Sequence, residues 1–130
     1  MGEQVVLDRY VSANMGHQGG KIRSAKKRED FYRFEENLEF ELLGLPHPDL
    51  TVFLYMPYDV AMKLKRGREG EADGHESNPT HLKNAEEAYL QLAKLYEWNK
   101  IDCVSGKDID SLKNIDTIHE EVYQIVKERI

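Results

Sequence analysis

The first residues whose types suggest chemistry are the adjacent pair Asp8-Arg9, which follows the short apolar run Val5-Val6-Leu7. A guanidinium binds a phosphate through two hydrogen bonds, and a neighbouring carboxylate can arrange a cation such as magnesium beside it. A salt bridge at the edge of a sheet explains the same pair equally simply. For the dipeptide taken alone, the salt bridge is the favoured interpretation.

A second polar group lies one to two helical turns further along the chain and consists of Asn14, His17 and Gln18. Asn and Gln side chains both donate and accept hydrogen bonds, which suits them to the edge of a nucleobase. Their spacing from Asp8-Arg9 would place base contacts near phosphate contacts. The alternative is a polar, solvated helix face.

Residues 67–80 contain three glycines, four acidic residues and almost no apolar side chain. This composition predicts a mobile surface loop, and mobile charged loops often act as lids. Arg66 and Arg68 stand at its start, where they could reach over a bound triphosphate and stabilise the charge that develops during phosphoryl transfer.

The sequence predicts no metal site made by the protein alone. The lid-like loop offers ligating atoms on Asp73, His75 and Glu76, but no other His or Cys is spaced to complete a site. Cys103 is the single cysteine, which excludes an intramolecular disulfide, and its apolar neighbours are more typical of a core residue than of a nucleophile.

Length and charge narrow the class of protein. A chain of 130 residues predicts one domain, residues 1–130. Its formal net charge of −6 argues against general nucleic-acid binding, and the basic run 21–28 is interpreted as a solvated loop or helix start. No apolar run approaches the roughly 20 residues that cross a bilayer, and residues 1–4 do not resemble a signal peptide. We therefore expect a cytoplasmic protein with neither nucleic-acid nor membrane partners.

The elements that must position these residues alternate between strands and helices. Val5–Leu7, Leu50–Tyr55 and Lys100–Val104 are predicted strands, because each is a short apolar run with β-branched residues. Amphipathic periodicity predicts helices between and after them, which favours an α/β fold with a mainly parallel, three-stranded sheet. One helix is predicted to start between Lys26 and Asp30 and to end at Gly44. Its expected buried face is Phe31, Phe34, Leu38, Leu42 and Leu45.

With these elements in order, the sequence resembles thymidylate kinase (dTMP kinase). The run from Val5 to Gly20 resembles the family's strand, Asp-Arg-Tyr motif and following helix with its Gln-Gly. Residues 48–54 resemble the next strand with its preceding Pro-Asp, and residues 66–76 resemble the lid. Residues 100–103 and 118–122 resemble the last strand and last helix. The resemblance extends through essentially the whole chain.

The resemblance implies an activity and a set of roles. The intact enzyme would transfer a phosphoryl group from ATP to dTMP, giving dTDP, with Mg²⁺ as cofactor, and it would be a homodimer. Asp8, Arg9, Arg66 and Arg68 would belong to the catalytic centre, with Asp8 an indirect magnesium contact. Arg9 would also hold dTMP phosphate. The other residues implied to surround dTMP are Asn14, His17 and Gln18.

One family motif is missing from these 130 residues, because no Gly-x-x-x-x-Gly-Lys-Ser/Thr occurs in them. The resemblance therefore implies a C-terminal portion without the P-loop, with a partial P-loop-kinase-like parallel sheet of three strands. In the family's order the missing first strand would lie between those at Val5 and Leu50. Two alternatives stay open: a non-catalytic nucleotide-binding or interaction module, and a fragment of another nucleoside or nucleotide kinase.

Overall fold

The computed structural model describes residues 3–69 and 79–129, which fold as helices around a small parallel sheet. The α-helices are α1 (Val11–Gly19), α2 (Ala25–Glu36), α3 (Tyr58–Glu69), α4 (Pro79–Leu95) and α5 (Ile115–Arg129). The strands are β1 (Val52–Tyr55) and β2 (Asn99–Asp102). A π-helical segment, Asn37–Leu42, continues α2, and a 3₁₀ turn, Ile109–Ser111, precedes α5.

The sheet joins β1 to β2 in parallel, with Val52 opposite Asn99 and Tyr55 opposite Asp102. Both strands lie within segments predicted from apolar runs, and the connection between them contains α3 and α4. A parallel pair needs such a crossover, because the chain must return to the same end of the sheet. The α/β class is therefore confirmed.

The predicted strand at Val5–Leu7 is not confirmed. These residues form no strand in the described part of the chain, and their side chains are 74%, 95% and 59% exposed. A strand is held by hydrogen bonds to a neighbour, and the described sheet pairs β1 only with β2. An apolar, β-branched run predicts a tendency to be extended, but it does not supply the partner. The three-stranded, P-loop-kinase-like sheet is accordingly not confirmed either.

The core forms where α1 packs against α4. Met15 and Val11 on α1 and Leu92 on α4 are buried in one cluster with Tyr32. The two helices approach closely because Gly20 has no side chain: a Cβ there would come within 2.9 Å of the Ala85 backbone nitrogen. This contact fixes α1, which carries the predicted base-binding residues, on the rest of the fold.

The buried face of α2 differs from the prediction. Tyr32 is fully buried and donates a hydrogen bond to the Ala88 carbonyl, whereas Phe34 and Leu42 are 60% and 71% exposed. The apolar spacing predicted a regular helix through residue 44, but the π-helical segment changes the residues per turn after Glu36. Burial of Arg28, two turns before Glu36, also rotates a charged position inward.

Among the basic side chains of the run 21–28, Arg28 is buried and the other four are exposed. Its guanidinium donates to Gln91 Oε1 at 2.6 Å, to the Ile22 carbonyl at 2.8 Å and to Glu87 Oε1 at 3.0 Å. A guanidinium cannot lose its charge, so a buried one must be surrounded by acceptors. Arg28 therefore joins the start of α2, the loop before it and α4.

The start of α3 is held by a carboxylate from α4. Glu86 accepts hydrogen bonds from the Tyr55 hydroxyl at 2.7 Å and from the Tyr58 backbone N–H at 2.9 Å. Burial of Tyr55 and the hydrogen bond from its hydroxyl to Glu86 raise the pKa of Tyr55 to about 12. Glu86 thus fixes the carboxyl end of β1 and the direction in which α3 leaves it.

Two further features concern membrane insertion and the cysteine. Among the described residues, no helix combines the length and apolarity that a membrane span requires. Cys103 is buried just after β2, as predicted for a core residue, and burial raises the pKa of its thiol.

We expect Arg28→Met to lower the free energy of unfolding by about 2–3 kcal/mol, because the Ile22 carbonyl and its other acceptors lose a charged donor. Urea denaturation followed by circular dichroism measures this change. The matched control is Lys26→Met in the same helix, whose ammonium meets Asp30 at 3.3 Å between largely exposed side chains. The control should change stability by less than about 0.5 kcal/mol. Similar losses in both variants would show that Arg28 acts as a surface charge.

Candidate functional site

Arg9 adopts an unusual backbone conformation immediately before α1. Its φ is 71°, in the left-handed region that non-glycine residues seldom occupy, and its side chain is exposed. Such conformations cost free energy and are concentrated at functional sites. Tyr10, the next residue, donates its hydroxyl hydrogen to the Pro46 carbonyl at 2.9 Å. The Asp-Arg-Tyr motif is therefore anchored on one side while Asp8 and Arg9 stay accessible.

His17 is half-buried against an aromatic residue of α4. Its ring meets the Tyr89 ring edge-on, with centroids 5.5 Å apart, and the Tyr89 hydroxyl donates to the Ala13 carbonyl at 2.9 Å. A methyl group at Gly16 would overlap the Tyr89 ring. Tyr89 also stacks on Phe53 of β1 at 5.8 Å. Tyr89 thus connects α1 to the sheet and fixes the position of His17.

Arg9 and His81 both act on His17, the histidine that lies against Tyr89. Burial lowers the pKa of His17, and the charges of Arg9 and His81 lower it further. Burial raises the pKa of Tyr89, while the charge of Arg9 opposes this rise. Arg9 and His81 therefore lie close enough to His17 to act on its charge, and we call these three residues the Arg9 cluster. The permanent positive charge of the cluster is the exposed Arg9 guanidinium, a group that suits an anion.

The remaining predicted site residues are placed as follows. Asn14 and Gln18 are exposed on α1, and their four-residue spacing puts them on one face of the helix. Asp8 is exposed beside Arg9, and Arg66 is exposed on α3. The Arg68 side chain lies outside the described residues, as does most of the predicted lid, including Asp73, His75 and Glu76. The described residues contain no group of three or more His, Cys, Asp or Glu side chains placed to hold a metal ion.

Sequence reasoning missed two members of this region. His81 and Tyr89, both on α4, are not among the residues that the sequence predicts for this site. The helical periodicity correctly turns Tyr89 inward, but it gives no indication that its ring meets His17. No sequence signal associates His81 with Arg9, because 72 positions separate them and only the packing of α1 on α4 brings them near.

Two cavities lie elsewhere on the molecule. One of about 710 Å³ lies between β2 and α5 and is lined by residues such as Lys100, Asn114 and Glu120. Another of about 340 Å³ lies at the amino ends of the two strands. Neither is lined by any predicted catalytic or nucleotide-binding residue. The Arg9 cluster lies outside both of these cavities.

The sequence was compared with known proteins. No family model matches the chain. Thymidylate kinase of Mycobacterium tuberculosis, from strain CDC 1551 / Oshkosh and from strain H37Rv, is 31% identical over 113 residues. The match covers 82% of this chain and 51% of each relative.

The chain is similar to thymidylate kinase. The predicted resemblance to thymidylate kinase is thereby confirmed. The chain spans about half the length of the curated relatives that it matches. Its similarity to thymidylate kinase relates it to nucleotide kinases, while the roles of individual residues stay predictions.

The electrostatics of the Arg9 cluster give a pH prediction. We expect the His17 imidazole to titrate below its ordinary pKa of 6.5, and Arg9→Gln to move its pKa upward by removing a nearby positive charge. The unfolded chain takes up this proton at about 6.5, before the folded chain does. Stability contributed by His17 is therefore present above pH 6.5 and falls as the pH drops through that value toward the lower folded pKa.

Two measurements check this prediction. The His17 ring resonances, followed by NMR against pH in wild type and in Arg9→Gln, give the two pKa values directly. Urea denaturation between pH 7.5 and 5.5 tests the linkage, with His17→Phe as the matched control that keeps an aromatic ring beside Tyr89. Wild type should lose stability relative to His17→Phe as the pH falls. A His17 pKa at or above 6.5 contradicts the arrangement described.

Proposed function

We propose that this chain provides the acceptor-nucleotide region of a thymidylate kinase, an enzyme that transfers a phosphoryl group from ATP to dTMP to form dTDP. The similarity to thymidylate kinase over 113 residues carries this proposal. The exposed guanidinium of Arg9 supports it, because a guanidinium binds phosphate through charge-assisted hydrogen bonds.

Each exposed group of α1 and the segment before it then has a role. Arg9 binds phosphate through its guanidinium, and its left-handed backbone sets the direction of the side chain. Asn14 and Gln18, on one exposed face of α1, hydrogen-bond the thymine edge. His17 is positioned by Tyr89 and contacts the deoxyribose. Together they bind dTMP along α1, with its phosphate toward Arg9.

The residues of this site can hold Mg²⁺ only together with phosphate oxygens of the bound nucleotides. Mg²⁺ is commonly held by one or two carboxylates together with substrate phosphates, and the exposed Asp8 beside Arg9 provides one carboxylate. When bound, the ion neutralises phosphate charge during transfer. Arg66, on α3, and Arg68 complete the charge around the ATP phosphates in this proposal, with residues 67–80 as the lid.

A second candidate is a nucleotide-binding module without catalysis of its own. It is favoured by the absence of Gly-x-x-x-x-Gly-Lys-Ser/Thr from these 130 residues, because that loop supplies the backbone donors and the lysine that cradle phosphates. A kinase acting on another nucleoside or nucleotide is distinguished by the nucleotide bound.

Homodimer formation in the cytoplasm is part of the main proposal. Apolar side chains available to a second copy are exposed on α2 and its π-helical continuation, where Phe34 and Leu42 are 60% and 71% exposed. Multi-angle light scattering measures the oligomeric state.

The 130-residue chain alone should show no kinase activity. Positioning supplies most of the rate enhancement in phosphoryl transfer, and this chain lacks the P-loop sequence that positions ATP. The measurement is a coupled assay for ADP with ATP, Mg²⁺ and dTMP present. Formation of ADP that depends on dTMP would contradict the prediction.

The affinity for dTMP distinguishes the proposed role of Arg9 from that of an ordinary surface charge. We expect Arg9→Ala to weaken dTMP binding about tenfold or more, since a charge-assisted hydrogen bond to phosphate is lost. Lys26→Ala, the control in the solvated basic run, should stay within about twofold of wild type. Isothermal titration calorimetry on the 130-residue chain measures both.

Thymidine and dCMP are two further ligands for the same calorimetric measurements. Thymidine lacks the phosphate, so its binding should be equal in wild type and Arg9→Ala. dCMP retains the phosphate and changes the base, so it tests the assignment of Asn14 and Gln18. Equal weakening of dTMP and thymidine by Arg9→Ala would assign Arg9 a structural role, and preference for dCMP would favour a different nucleotide kinase.

A further inference from the structure

The cavity of about 340 Å³ at the amino ends of β1 and β2 has an aromatic wall. Tyr10, Phe40, Tyr96 and Trp98 all line it. Tyr10 and Phe40 lie with ring centroids 6.3 Å apart at 55°. Phe40 is stacked on His47, another lining residue, at 4.0 Å. These contacts hold several rings around one space, and its volume lies within the range of small-molecule sites.

Carboxylates complete the lining. Glu36, Asp49 and Glu97 all line the cavity, against one guanidinium, Arg129. Glu36 is half-buried and accepts a hydrogen bond from the Tyr96 hydroxyl at 3.0 Å, so its position is fixed within the wall. Glu97 has a φ of 51°, which places it with Arg9 as the two described non-glycine residues in the left-handed region. The cavity therefore combines an excess of negative charge with a strained backbone.

The proposed nucleotide site does not use this cavity. Its lining contains none of Asp8, Arg9, Asn14, His17 or Gln18. Ligands of open α/β sheets bind at the carboxyl ends of the strands, whereas Thr51 and Asn99, which line the cavity, stand at the amino ends of β1 and β2. An anion such as dTMP would also be repelled by the three carboxylates.

We propose that this cavity binds a small organic cation of the alkylammonium class, with its carbon groups against the aromatic rings and its charge near Glu36. Aromatic faces attract such cations through their quadrupoles, most strongly where water is displaced. Neighbouring carboxylates strengthen that attraction and disfavour neutral or anionic molecules of the same shape. A bare metal ion is a poorer fit, since the described residues hold no group of three or more metal-ligating side chains.

Trp98 gives a direct measurement, because it is the single tryptophan of the sequence and lies in the cavity wall. The 130-residue chain is titrated with choline, and the Trp98 fluorescence is followed. The control ligand is 3,3-dimethyl-1-butanol, which has the shape of choline without its charge. We expect saturable quenching by choline and binding of the alcohol about tenfold weaker, the ratio that a desolvated cation–π contact provides.

Substitution of one carboxylate locates the site. Glu36→Gln keeps an acceptor for the Tyr96 hydroxyl and should weaken choline about threefold or more while leaving the alcohol unchanged. Glu39→Gln, three residues later and outside the cavity lining, removes the same charge and should leave choline binding within about twofold. Circular dichroism confirms that both variants fold, and Tyr96→Phe, which removes the hydroxyl but keeps the ring, replaces Glu36→Gln if that variant does not fold.

Several outcomes would overturn the proposal. Equal affinity for choline and the alcohol would make the cavity a neutral apolar site, and unsaturable quenching would mean that no site exists. An equal effect of Glu36→Gln and Glu39→Gln would indicate only general surface charge. Competition between choline and dTMP would place both ligands in one site, whereas failure of dTMP to bind with intact choline binding would count against the proposed kinase role alone.

Discussion

The close contact of α1 with α4 is the constraint on which the rest of the fold depends. Gly20 allows the α4 backbone near Ala85 to approach, and Gly16 leaves room for the Tyr89 ring. Tyr89 then fills that room and is held by the Ala13 carbonyl. A larger side chain at either glycine would move α1 outward, and with it Asn14, His17 and Gln18, the α1 residues proposed to touch dTMP. Packing and function therefore share the same short helix.

Hydrogen bonds of polar side chains also fix the position of α4 relative to its other neighbours. Arg28 is buried between the start of α2 and α4, where Glu87 and Gln91 accept from its guanidinium. A buried guanidinium adds little net stability through charge attraction. It constrains the structure instead, because only certain backbone positions supply acceptors to all of its donors. The loop between α1 and α2 is thereby fixed, since its Ile22 carbonyl is one of the acceptors. Glu86 performs a similar task at the end of β1 and the start of α3.

Local pattern predicted most elements of the fold and few of their contacts. β1 and β2 follow from apolar runs, and the helices between and after them follow from amphipathic periodicity. The face of α2 could not be predicted, because a π-helical turn after Glu36 changes its periodicity and the burial of Arg28 depends on acceptors distant in sequence. Val5–Leu7 shows a second limit of prediction from local sequence. The tendency of a segment to be extended is local, but a strand forms only when a neighbouring strand supplies its hydrogen bonds.

The residues of the candidate site likewise fall into those that the sequence could predict and those that it could not. The sequence could select Asp8, Arg9, Asn14, His17 and Gln18 because all five stand within one stretch of eleven residues, 8–18. His81 and Tyr89 could not, since they come from α4, which only the folded chain brings to α1. Their presence changes the environment of His17, because burial and the nearby charges of Arg9 and His81 all disfavour its protonated form. Contact with the Tyr89 ring also fixes where the neutral imidazole stands. The case for an anion rests on the exposed guanidinium of Arg9, whereas the state of His17 beside it depends on α4 residues that the motif itself does not contain.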